Sequence, residues 1–194
     1  MDDRRPEEIR SALRRFRRRR ARQWGAQREV MAVTVAAGAA DPAVLLVRGS
    51  DSSGRQPQTL GLPAGPADRW TSVSGAARGL LTGTLKIHLP PESVLGLLDD
   101  YVADRKRMIT PVVLWAGPIA AQRTPETDIV AVPFAELDVE PVLVASAESD
   151  RPVIRLPLHG EWLHAPAAAI LHQFREVVLY HRPTRVSHLA PLPH

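Results

Sequence analysis

Cysteine is absent from the 194 residues. Disulfides and thiolate metal sites are therefore excluded. Long apolar runs are missing too, and none approaches the roughly 20 residues that a membrane-crossing helix needs. The N-terminus is basic but no apolar stretch follows it, so it does not read as a secretory signal. The chain is expected in the cytoplasm, with no transmembrane segment. Seven histidines are present, with no HExxH or similar metal-ligand spacing. His159 and His164 flank Trp162, and His172 falls in a late helical stretch; surface or packing roles suit all three. No Ser-His-Asp arrangement can be argued from the order of residues.

What is present is unevenly charged. The net charge of +4 conceals a strong asymmetry. Residues 1–28 hold 11 Arg against 4 acidic residues, whereas the remainder holds 14 Lys plus Arg against 17. The basicity belongs to an N-terminal arm, so a uniformly basic nucleic-acid surface is not indicated. Within the arm, Arg5 to Trp24 reads as a helix. Pro6 suits a first turn, Glu7 and Glu8 complement the positive helix end, and Ile9, Leu13 and Phe16 form a thin apolar stripe. The run Arg17, Arg18, Arg19, Arg20 leaves little to bury, so this end is expected to fray or to bind something. These four arginines are the candidate contact to RNA, DNA or anionic lipid. Only Phe16 and Trp24 accompany them, so base stacking is poorly supported.

Beyond the arm, Glu29–Ala37 and Ala43–Arg48 read as two strands of a hairpin, and 49–59 as a loop. Leu60–Gly65 is a short strand and turn, and Ser72–Thr84 a helix. Val94–Tyr101, Met108–Ala116 and Ile129–Phe134 read as strands, and Val142–Ala145 with Val153–Leu158 as a late hairpin. Ala165–Leu179 is a helix, and the proline-containing tail from His181 is expected to be extended. This pattern predicts an α/β fold, a mixed sheet covered by helices. The division expected is an arm at 1–28, one domain at 29–180 and a tail at 181–194.

One segment carries a resemblance. Leu62-Pro63-Ala64-Gly65, followed by Ala76-Ala77-Arg78-Gly79-Leu80-Leu81-Thr82-Gly83, is similar to a Nudix box. Gly65 stands at the box's glycine turn and Arg78 at its arginine, with the intervening loop one residue short. Leu45 to Ser50, Leu95 to Tyr101, Ile109 to Val113 and Trp162 to Phe174 resemble flanking elements of the coenzyme A pyrophosphatase branch. The likeness runs from about Val30 to Val178. It implies a Nudix-like α/β/α sandwich.

The chemistry departs from the fold. Magnesium is held through carboxylates and water, with substrate phosphates completing its shell. The resemblance places the three metal-binding glutamates of the family at Gly79, Thr82 and Gly83, none of which can carry a negative charge. An earlier family glutamate falls near Arg69 or Trp70. The coenzyme A signature is not kept either, although Gly54, Arg55 and Gln58 lie close by. The box is thus degenerate at Gly65, Arg78, Gly79, Thr82 and Gly83, and no catalytic or metal residue is assigned. Gly75, Gly79 and Gly83 recur every fourth residue, giving one bare helical face. Drift, close backbone packing and ligand binding would each explain it. Packing predicts that glutamates would not fit there.

Arg48, Arg55, Asp99 and Glu126 are the candidate ligand-binding residues. Asp99-Asp100, Glu126 and Asp128 could also rebuild a metal site, although dispersed acids are usually solvated. The leading reading is a non-catalytic Nudix-like protein with a binding or structural role. Its partner would be an unidentified protein, a nucleotide-like ligand or a second copy of the chain. The first alternative is a divergent pyrophosphohydrolase of coenzyme A or nucleoside diphosphate derivatives, the only reading that needs magnesium. The second is a nucleic-acid-associated accessory protein using the arm.

Overall fold

A computed structural model describes residues 4–22, 25–38, 40–49, 59–68, 70–104, 106–118, 128–146 and 150–190. Its centre is a pair of long parallel strands, β1 (Gln27–Ala37) and β7 (Arg107–Pro118). Between them in sequence come β2 (Ala43–Gly49), β3 (Thr59–Gly61), β4 (Ala64–Pro66), helix α2 (Val73–Leu85), β5 (Val94–Leu97) and β6 (Tyr101–Val102). Strand β8 (Asp128–Pro133) follows. These strands form one eight-stranded mixed sheet along the path β3-β2-β1-β7-β5, with β4 on β1, β6 on β7 and β8 on β2. The hairpin of β1 and β2 forms as the sequence predicts, with Thr34 opposite Leu45. A second sheet, antiparallel, holds β9 (Val142–Val144), β10 (Val153–Leu158) and β11 (Glu161–His164).

The alternation of side chains along β1 and β7 divides the core into two layers. Val30 and Ala32 of β1, with Val112 and Leu114 of β7, pack against Ala77, Leu81 and Leu85 of α2. Met31, Val33 and Val35, with Ile109 and Val113, face the other way. On that side lie helix α1 (Arg4–Arg15), helix α3 (Ala167–Phe174) and the small sheet. The result is the expected α/β/α sandwich.

The arm differs from expectation. Helix α1 ends at Arg15, well before Trp24, and it is seated on the core. Ile9, Leu13 and Phe16 are each at least 93% buried, so the thin stripe suffices for docking. Gly96 of β5 permits the contact: a Cβ there would lie 2.9 Å from the Leu13 Cβ. After the helix, residues 17–22 run outside any regular element but are not frayed. The Arg19 and Ala21 N–H groups donate to Asp99 Oδ1 (2.6 Å) and Asp100 Oδ2 (3.0 Å). The Asp100 N–H returns a bond to the Arg19 carbonyl at 3.2 Å. Neighbouring carboxylates thus capture alternate backbone N–H groups of the arm.

The tail is docked as well. Val186, Leu189 and Ala190 are buried, and the Ala190 N–H donates to the Pro152 carbonyl at 2.8 Å. Packing is therefore continuous across the boundaries expected at 28/29 and 180/181. The last helix also departs from prediction: beyond Phe174 it widens into a π turn, Arg175–Leu179. Arg175 and Glu176 are buried there as an ion pair, and Arg175 also donates to the carbonyls of Leu137 and Val139. Strand β11 was not foreseen. His159 (φ 51°) and Gly160 (φ 75°) both take the left-handed conformation between β10 and β11. Two such residues make a tight hairpin turn.

Candidate functional site

Helix α2 carries Arg78, Gly79, Thr82 and Gly83, the residues on which the sequence resemblance rests. Ser72 caps it, accepting from the Gly75 N–H at 3.0 Å. Lys86 ends it in the left-handed conformation, φ 57°. Ala77, Leu81 and Leu85 take the buried face, Gly79 and Gly83 are exposed, and Arg78 and Thr82 are half-buried on the flank. Arg78 donates to the Leu89 carbonyl at 3.1 Å and so ties down the chain leaving the helix. Thr82 Oγ1 reaches the Ile87 carbonyl at 3.3 Å. Gly65 lies against the helix: a Cβ there would sit 3.0 Å from Leu80 Cδ1.

The bare face is open. A Cβ on Gly79 or Gly83 would meet nothing within 4 Å. This corrects the packing expectation, because no other backbone approaches these two positions among the described residues. Gly75 is different, with Ser72 Oγ at 3.1 Å from such a Cβ.

These residues do not fit a magnesium ion. Gly79, Thr82 and Gly83 offer no carboxylate, and Lys86 Nζ lies 3.1 Å from the Gly83 carbonyl. A cation at that carbonyl opposes another. Among the described residues, no three His, Asp or Glu side chains are placed to share an ion.

Of the other candidates, the described ones, Asp99 and Arg48, are engaged away from α2. Asp99 is 98% buried. It accepts from Arg185 Nη1 at 2.8 Å, Gln173 Nε2 at 3.1 Å and the Arg19 N–H at 2.6 Å. It is thus corrected from ligand contact to structural anchor. Asp100 likewise accepts from Arg18, Thr110 Oγ1 (2.7 Å) and the Ala21 N–H. With their oxygens so engaged, the two acids dock the arm and tail. Arg48 pairs with Glu161 of β11. Arg55 and Glu126, with Gly54, Gln58 and Arg69, lie outside the described residues. Trp70 is 83% exposed.

The four arginines of the run are no longer equivalent. Arg18 turns inward to Asp100, so it is corrected from polyanion contact to latch. Arg17, Arg19 and Arg20 remain exposed on a backbone fixed by Asp99, Asp100 and Arg185, whose Nη2 donates to the Arg17 carbonyl at 2.9 Å. Sequence reasoning missed Arg185 and Gln173 because nothing local marks them as partners of Asp99. His164 stands near Arg155, and His172 near Arg175, Glu176, Glu140 and His188. Burial, with Arg155 as the second cause, holds the His164 pKa below its ordinary value. Burial followed by Arg175 does the same for His172.

No protein-family profile matches the sequence, and no curated protein does. Solved structures do match. A MutT/nudix family protein from Enterococcus faecalis superposes with a TM-score of 0.54 at 16% identity, covering 84% of this chain and 67% of that one. The chain has the Nudix fold. A Nudix hydrolase from M. smegmatis is 22% identical over 82% of this chain and 91% of its own, with a TM-score of 0.49. At such identities the likeness to Nudix proteins is one of architecture, and activity is a separate question.

Proposed function

We propose that this Nudix-fold chain is a binding protein that does not hydrolyse diphosphates, and that the outward face of α2 is where a nucleotide-like ligand or a protein partner sits. The supporting observation is the open face at Gly79 and Gly83, which has room beside it and no carboxylate on it. Hydrolysis by the divergent route would need several carboxylates to hold a metal there. The test has two parts. Coenzyme A, NADH and ADP-ribose are incubated with magnesium, with and without chelator. No chelator-sensitive turnover is expected; a rate in the ordinary enzymatic range, about 1–1,000 per second, would overturn the reading. ADP-ribose is then titrated calorimetrically into the intact protein and into Gly79→Arg. Loss of binding with an unchanged melt supports a ligand face. Absence of binding to the intact protein leaves a protein partner as the occupant to isolate.

A second reading is favoured by the arm. Arg17, Arg19 and Arg20 stand exposed on a strap anchored by buried acids, so little conformational freedom is lost when a polyanion binds. RNA, DNA or anionic vesicles should then bind in a strongly salt-dependent manner. Retained affinity after Arg17, Arg19 and Arg20 are all changed to Ser would refute it.

A further inference from the structure

A groove lies on the sheet face opposite α2, between α1 and the π turn. Two adjoining cavities of about 450 and 210 Å³ make it up, and both are walled by Arg15 and His181. The larger falls within the range that accommodates a small organic ligand. Its floor is apolar: Ile9, Phe134 and Val178 line the larger cavity, and Phe16 and Val177 the smaller. Its rim is cationic. Arg5 and Arg15 border the larger space, and Arg15 and Arg182 the smaller. The one acid on the rim among the described residues, Glu8, is already matched by Arg5 at 3.6 Å.

The central cation, Arg15, is underused, whereas Arg182 also stacks on the Tyr180 ring at 5.2 Å. Arg15 is exposed and has no carboxylate partner among the described residues. Arg182 reaches Glu176 only at 3.5 Å, and that carboxylate is shared with the buried Arg175. The backbone at the lip is unusual as well. The π turn leads through Tyr180 to His181, which holds a left-handed φ of 54°. Such conformations cost energy in a non-glycine residue and gather at binding sites, and π turns do the same.

We infer that this groove binds a small organic anion, its phosphate or carboxylate held by Arg15 and Arg182 and its apolar body lying on Ile9, Phe134 and Val178 in the larger cavity. The apolar floor rules against a bare ion as the preferred ligand, and the unpaired guanidinium rules against a neutral one. The site is separate from the proposed α2 face and does not depend on that reading.

The probe is 1-naphthyl phosphate, titrated calorimetrically into the full chain beside inorganic phosphate and 1-naphthol. Saturable binding is expected, with each control at least about tenfold weaker, since one part of the contact is missing in each. Arg15→Glu should weaken binding by about tenfold or more, and Arg15→Lys should retain most of it. Ser11→Trp should also abolish binding, because Ser11 is exposed on the wall and a large ring there fills the space without entering the core. Neither position is buried, so the melts of these variants should match the parent. Gly79→Arg should leave binding unchanged. Absence of saturable binding overturns the inference. So does binding that survives both Arg15→Glu and Ser11→Trp, or that is lost only in Gly79→Arg.

Discussion

Replacing Leu13 by Ala tests whether the arm is part of the folded unit. Leu13 is 95% buried, and its side chain packs where Gly96 leaves room on β5. Removing a buried leucine loses its transfer free energy and leaves a cavity, together about 2–5 kcal/mol. In a chain of this size each kcal/mol moves the melting temperature by about 2–4 °C, so a fall of roughly 5–15 °C is expected. Arg14→Ala is the control: Arg14 is exposed on the same helix, and its loss should cost no more than about 0.5 kcal/mol. Deleting residues 1–22 goes further. It uncovers the seats of Ile9, Leu13 and Phe16, each contributing about 1.5–3 kcal/mol by burial, offset in part by the ordering entropy recovered. It also strips Asp100 of Arg18 and the Ala21 N–H. Against a typical total of about 5–15 kcal/mol, the truncated chain should melt far lower or aggregate. The assay is thermal unfolding followed by far-ultraviolet circular dichroism. A Leu13→Ala melt indistinguishable from Arg14→Ala, or an unchanged cooperative melt after truncation, would refute the reasoning.

Asp100→Ala should cost about 3–5 kcal/mol, because it leaves the Arg18 charge and the Thr110 hydroxyl without their buried acceptor; a urea midpoint within error of the parent would contradict this. The triple change Gly79→Glu, Thr82→Glu, Gly83→Glu should fold, since the face is open. Replacing two interior glycines helps by up to about 2 kcal/mol, like charges three and four apart take some of that back, and added magnesium should raise the melt without restoring hydrolysis. Aggregation of that variant would show that the face is covered. Burial holds His164 and His172 below the ordinary pKa of 6.5, so between those depressed values and 6.5 the unfolded chain takes up more protons than the folded one. Stability should therefore decline as pH falls from 7.5 toward 5. His172→Gln should flatten that slope in urea titrations, and an unchanged slope would refute its part in it.

Much of the layering was legible in the sequence because it rests on local periodicity. The alternation in β1 and β7 fixes which residues face α2 and which face α1 and α3. The missing charge at Gly79, Thr82 and Gly83 was equally plain, since a residue type cannot be altered by packing. What sequence could not show is what stands next to what. The glycines at 79 and 83 look the same whether a neighbour touches them or not, and only the tertiary structure reveals open space. Asp99 and Asp100 read as surface acids, yet Arg18, Gln173 and Arg185, from distant parts of the chain, converge on them. The arm reads as too charged to bury, but Ile9, Leu13 and Phe16 need only one helical stripe, and the arginines that follow find acids about 80 residues away. Composition and period are local properties that the sequence determines by itself. Pairing across such separations is fixed only when the chain closes on itself, because the burial that makes each partner necessary does not exist before then.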